Sequence, residues 1–66
     1  MMVRVAGREI FWREGMTVSD VLNELGDAYP YPVVRIRDRF IAKPDFDKAT
    51  VPNNSEVHLI PLVAGG

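Results

Sequence analysis

Two hydrophobic periodicities run along this chain, one of two residues and one near 3.6, and their succession predicts the architecture. Val3 and Val5 flank Arg4, Ala6-Gly7-Arg8 interrupts, and Ile10 and Trp12 then alternate with Phe11 and Arg13. That pattern predicts a two-strand hairpin with Ile10 and Trp12 turned to the core. Val18, Val21, Leu22 and Leu25 next recur at helical spacing behind Thr17, with Asp20 three residues on as a short variant of the capping box. Gly26 stands where a helix C-cap is expected, and Pro30 and Pro32 make residues 27–32 a connector, because proline has no amide to donate.

Residues 33–37 alternate again and predict a third strand, Asp38-Arg39 a turn, and residues 40–42 a short fourth strand before Pro44. The tract 44–55 reads as loop, with Phe46 and Val51 plugging the core, and residues 56–63 supply the last strand. Its alternation sets Val57 and Leu59 on one face and His58, Ile60 and Leu62 on the other. The order is ββαββ with a final β. One amphipathic helix and one mixed sheet of four to five strands must bury their apolar faces against each other, which predicts a two-layer α+β domain.

Sixty-six residues allow one domain, near the lower limit for a single core without staples. Eight basic against nine acidic residues give a net charge of −1, which supports neither a polyanion-binding nor an acidic-tail role. The absence of cysteine removes disulfides, thiolate metal sites and side-chain thiol chemistry together. The N-terminal residues lack the apolar core of a signal peptide and no stretch approaches a membrane span, so a cytoplasmic location is expected. Asn53-Asn54-Ser55 reads as a turn rather than a glycosylation site.

His58, the sole histidine, has no second histidine or cysteine with which to share a metal, and no metal or bound cofactor is expected. No phosphate-binding glycine loop and no nucleophile, base and acid constellation is present, which argues against a self-contained enzyme. Arg35, Arg37 and Arg39 are spaced by two and form a candidate basic stripe, with Tyr29, Tyr31 or Phe11 as stacking platforms for a single-stranded nucleic acid. The surplus of acids weighs against that reading; a solvated face or an acidic protein partner is the alternative.

The chain ends Val63-Ala64-Gly65-Gly66. Glycine has no Cβ, so a Gly-Gly tip can follow a narrow channel into another protein, which makes the Gly66 carboxylate the candidate reactive group. If Val57 and Leu59 fill the core, Ile60 and Leu62 are exposed beside that terminus and form a candidate docking face.

The ββαββ order with its final strand, the Gly-Met-Thr-Val-Ser-Asp-Val-Leu helix entry and the Ile-Pro-Leu-Val-Ala-Gly-Gly ending together resemble the ubiquitin-like ThiS/MoaD family of sulfur carriers over nearly the whole chain. The resemblance implies a β-grasp domain over residues 1–63 and a flexible diglycine tail over 64–66. It implies that an ATP-dependent adenylyltransferase, related to ubiquitin-activating enzymes, adenylylates Gly66, and that a sulfur donor such as a cysteine desulfurase leaves a thiocarboxylate there. ATP would be used by that partner and not held by this chain. His58, Ile60, Leu62, Ala64 and Gly65 are the implied partner-binding residues. The short first hairpin is nearer the thiamine-pathway carriers, with a thiazole synthase as acceptor; the Pro-Leu-Val-Ala-Gly-Gly ending is nearer the molybdopterin type, whose acceptor is the large subunit of molybdopterin synthase. Tungstopterin assembly, tRNA thiolation and protein modification are the other implied destinations. Leu62 stands where ubiquitin has an arginine, which disfavours ordinary ubiquitin conjugation.

Overall fold

The computed structural model describes residues 1–26 and 30–61. Met2–Val5 (β1) and Arg8–Phe11 (β2) pair antiparallel, with Val3 opposite Ile10. Their two-residue turn, Ala6-Gly7, has φ of 51° and 78°. Two successive positive φ values give the turn a twist that matches the strands, as in a type I′ hairpin. Gly7 adopts this conformation freely, whereas Ala6 does so at about 1–2 kcal/mol.

Val18–Leu25 forms the helix (α1), entered through Thr17 in extended conformation. The Asp20 amide donates to Thr17 Oγ1 at 3.2 Å and the Thr17 amide donates to Asp20 Oδ2 at 3.0 Å, so the expected reciprocal box is present. The Thr17 amide, followed by the Thr17 side chain and the Arg13 guanidinium, holds the Asp20 carboxyl below its ordinary pKa of 3.8. A carboxylate with a lowered folded-state pKa stabilises fully above its ordinary pKa. That contribution disappears as pH falls through the lowered value. Thr17→Ala removes the hydroxyl half of the box and is expected to cost about 1 kcal/mol, measured as a lower urea midpoint with an unchanged slope.

Gly26 closes α1 in the left-handed region at φ 76°, its amide donating to the Leu22 carbonyl at 3.2 Å. The last turn of α1 has no basic residue of its own. Arg8 of β2 supplies one from across the fold, donating from Nη1 to the Leu25 carbonyl at 3.2 Å, where the helix dipole favours a cation. Of the expected connector, residues 27–29 lie outside the described residues.

Val33–Ile36 (β3) and Arg39–Ala42 (β4) form the second hairpin, and Glu56–Ile60 (β5) completes a five-stranded sheet in the order β2-β1-β5-β3-β4. β5 runs parallel to β1 and antiparallel to β3, which makes the sheet mixed around its middle strand. One face of that sheet packs on α1 through Val3, Val5, Ile10, Val34, Ile36, Ile41 and Val57, all buried against Val18, Val21 and Leu25. Burying each such side chain is worth about 1.5–3 kcal/mol, so this layer outweighs any single cap. Phe46 and Val51 enter the same core from the 43–55 segment, as expected. The result is the ubiquitin-like β-grasp.

Three local expectations are corrected. The second turn is Arg37-Asp38 rather than Asp38-Arg39, with Arg37 at φ 56° and Arg39 already in β4. This register pairs Val33 with Ala42 and lets the Lys43 amide donate to the Pro32 carbonyl at 3.0 Å. A shift by one residue would place Pro44, which has no N–H, opposite Val33. The last strand ends at Ile60 rather than running to 63, because its partner β3 begins at Val33, directly opposite Ile60. Trp12 lies just beyond β2 and is half-buried at the rim of the core; its Nε1 donates to the Val51 carbonyl at 2.6 Å. The expected boundary between residues 63 and 64, and the tail itself, lie outside the described residues.

Candidate functional site

β5 is the middle strand and carries the chain out of the sheet at Pro61, beside the Ala6-Gly7 turn and the start of β3. Leu62, Ala64, Gly65 and Gly66 of the expected site lie outside the described residues. His58 and Ile60 are placed by their register. His58 is directly opposite Arg35 and Ile60 directly opposite Val33. On the far side of β3, Arg35 faces Phe40 and Val33 faces Ala42.

Residues opposite one another across a ladder point to the same side of the sheet. Two rows therefore cross the face turned away from α1: His58, Arg35 and Phe40 in one, Ile60, Val33 and Ala42 in the next. The separation expected along β5 holds, since Val57 is buried while His58 and Ile60 are on the opposite face. Ile60 is half-buried rather than fully exposed, and the largest apolar area here belongs to Phe40, which is 66% exposed. Phe40 was not among the residues expected to dock. Its signal was available, because once β4 begins at Arg39 the alternation with buried Ile41 sends Phe40 outward.

The electrostatics of the face are mild. His58 Nε2 lies 3.9 Å from Glu56 Oε1, an exposed pair of the kind worth little. Arg35 is exposed between His58 and Phe40 in its row. The arginine stripe does not form. Arg35 points away from α1, Arg37 sits in the turn, and Arg39, opposite buried Ile36, belongs to the other face. Phe11, 79% exposed, stands opposite Met2 at the far end of the sheet from the Pro61 exit, so it is not beside the arginines. Tyr29 lies outside the described residues. Among the described residues no set of three His, Asp or Glu side chains converges on a cation position, and no helix is long and apolar enough to cross a membrane.

A shallow groove beside the exit is lined by Ala6, Gly7, Tyr31, Glu56, Leu59 and Pro61 among others. It follows from unequal strand lengths. β1 pairs with β5 only at Arg4 with Glu56 and Val5 with Val57, whereas β3 accompanies β5 up to Ile60.

Comparison with known proteins bears on the whole arrangement. The fold matches the crystal structure of a thiamine biosynthesis protein (ThiS) from Geobacter metallireducens with a TM-score of 0.74, at 23% identity and over 100% of both chains. At that identity the match establishes a shared fold. The model of the ThiS family matches residues 2–66, which takes in both hairpins, the helix entry and the two terminal glycines. On that match the chain belongs to the ThiS family of ubiquitin-like sulfur carriers.

Proposed function

We propose that this protein carries sulfur, as a thiocarboxylate on Gly66, to the formation of the thiazole of thiamine. The observation that carries the reading is the family match running through Gly65 and Gly66. An ATP-dependent adenylyltransferase joins the Gly66 carboxylate to AMP and releases pyrophosphate, which turns a poor electrophile into an acyl group with a good leaving group. A sulfur nucleophile from the donor, such as the persulfide of a cysteine desulfurase, then attacks the carbonyl. AMP departs, and reductive cleavage of the resulting acyl disulfide by a thiol leaves the thiocarboxylate. The protein is a co-substrate in this sequence, and the chemistry is covalent catalysis divided between partners. Delivery to a thiazole synthase in the cytoplasm completes the proposal.

The absence of cysteine suits this task, since no side-chain thiol competes for the sulfur by exchange. The face bearing His58, Ile60, Val33 and Phe40 is the docking surface in this reading. It lies at the end of the sheet from which the tail departs, so a partner gripping it is within reach of the tip.

Intact mass spectrometry after treatment with a thiol-alkylating reagent tests the proposal. The protein is incubated with its activating enzyme, ATP and a sulfur source. One alkyl adduct on Gly66 is expected, because nothing else in the chain presents a reactive thiol. Alkylation is needed because oxidation of Met1, Met2 or Met16 changes the mass by nearly as much as replacing oxygen with sulfur. Acyl-adenylate formation without any adduct would instead favour attachment to amines of target proteins.

A further inference from the structure

β5 outruns β1, and the excess leaves main-chain groups of a central strand facing a groove. The Arg4 amide donates to the Ser55 carbonyl at 3.1 Å, in the parallel ladder that pairs Arg4 with Glu56. In such a ladder the residues on either side of the partner supply the bonding groups, so residues 55 and 57 face β1. Alternation then turns residues 58 and 60 toward β3 and residue 59 toward β1. β1 has ended at Val5, however, and on the side away from its β3 partner Val34, Leu59 has no strand beside it among the described residues. Its N–H and C=O point into the groove bordered by Ala6, Gly7, Tyr31 and Pro61.

We propose that this slot receives a short extended segment of the activating enzyme, which adds to the sheet as a strand in line with β1 and holds the root of the tail. The identity of the occupant rests on the sulfur-carrier reading above. The slot selects its occupant by main-chain chemistry. Leu59 presents one donor and one acceptor, and Pro61, which has the same parity but no N–H, presents an acceptor only. The segment must therefore supply two N–H groups and one C=O in extended conformation. The turn below contributes only the methyl group of Ala6 and the bare Gly7, which leaves a backbone room to approach. Glu56 at the edge disfavours an acidic segment.

A partner, rather than a second copy of this chain, fits for two reasons. A slot one or two residues long cannot by itself supply the roughly 800 Å² per partner of a stable interface. It adjoins the strand that bears Ile60 and ends at Pro61, where the chain leaves the sheet, so an enzyme that takes the C-terminus into its own site has this edge within reach. Strand addition of this kind takes affinity from main-chain bonds rather than from side chains.

The test uses the full chain, made by total synthesis with N-methyl-Leu59, together with amide exchange on the unmodified protein. In the free protein the Leu59 amide is expected to exchange quickly while those of His58 and Ile60 are protected by β3. Addition of the activating enzyme and ATP is expected to protect Leu59. The N-methylated chain is expected to melt as the unmodified one does, and its KM in ATP–pyrophosphate exchange is expected to rise at least tenfold. Protection of Leu59 in the free protein, its continued rapid exchange in the complex, or an unchanged KM would each overturn the proposal. If the modified chain fails to fold, amide exchange in the unmodified complex still decides. Absence of ATP–pyrophosphate exchange with the unmodified chain would instead overturn the functional reading on which the occupant rests.

Discussion

A chain lacking Gly66 is expected to fold as the full-length protein does and to yield no detectable thiocarboxylate. The folding half of this expectation follows from where the buried residues lie: the core runs from Val3 to Val57, and no residue after Val57 is fully buried among those described. The functional half follows from reach. Five residue-to-residue steps lead from Pro61 to Gly66, a span of at most about 17 Å in extended conformation, and deleting one residue retracts the carboxylate by about 3.4 Å. A misplacement of about 1 Å at a reacting centre can cost on the order of 100-fold, and this retraction is several times larger. The truncated chain would also present Gly65 as its new carboxylate, so the comparison isolates position from chemistry. Thermal melting of the two chains and alkylation followed by intact mass measurement check both halves. An adduct on the truncated chain at a comparable rate would show that the partner accepts any terminal carboxylate within reach, and the role assigned to Gly66 would fail.

The parts of the fold that were legible in the sequence are those set by neighbours in the chain. Thr17 and Asp20 cap α1 through contacts three residues apart, Gly26 ends it by its own backbone freedom, and the β1–β2 turn shows in the Ala6-Gly7-Arg8 break, of which only Ala6 and Gly7 form the turn while Arg8 already belongs to β2. What escaped depends on partners distant in sequence. Arg37 adopts a left-handed conformation that an arginine does not advertise, and only the pairing of Val33 with Ala42 reveals it. The cation at the end of α1 comes from Arg8, seventeen residues before its partner Leu25. The candidate site divides in the same way. The alternation along β5 separated Val57 from His58 and Ile60 correctly, whereas the neighbours that widen this face, Val33 and Phe40, are supplied by β3 and β4 through register. The groove beside Leu59 arises from a difference in length between two strands remote in sequence, which no local pattern expresses.

Ile60→Asp is expected to leave the fold standing and to lower the efficiency of activation by about 30- to 100-fold. Ile60 points away from α1, opposite Val33, and touches none of the positions that fill the interior. A strand position on the uncovered face is sensitive to β-propensity at about 1 kcal/mol or less, so the melting temperature should fall by only a few degrees. Docking is affected far more. An apolar residue near the centre of a contact patch can carry 2 kcal/mol or more of binding, and an aspartate there also leaves a charge desolvated against the partner. Two kcal/mol corresponds to about 30-fold, and the unpaired charge extends the loss. The kinetic form of the loss distinguishes docking from chemistry. If the face serves only to hold the partner, KM for the carrier rises while kcat stays near its original value, because the interaction is the same before and during adenylylation. A fall in kcat at unchanged KM would mean that Ile60 aligns the tail rather than anchors the domain. Unchanged kcat and KM in a folded Ile60→Asp chain would place the contact surface elsewhere, and the rows of His58, Arg35 and Phe40 and of Ile60, Val33 and Ala42 would then be no more than the solvated side of the sheet.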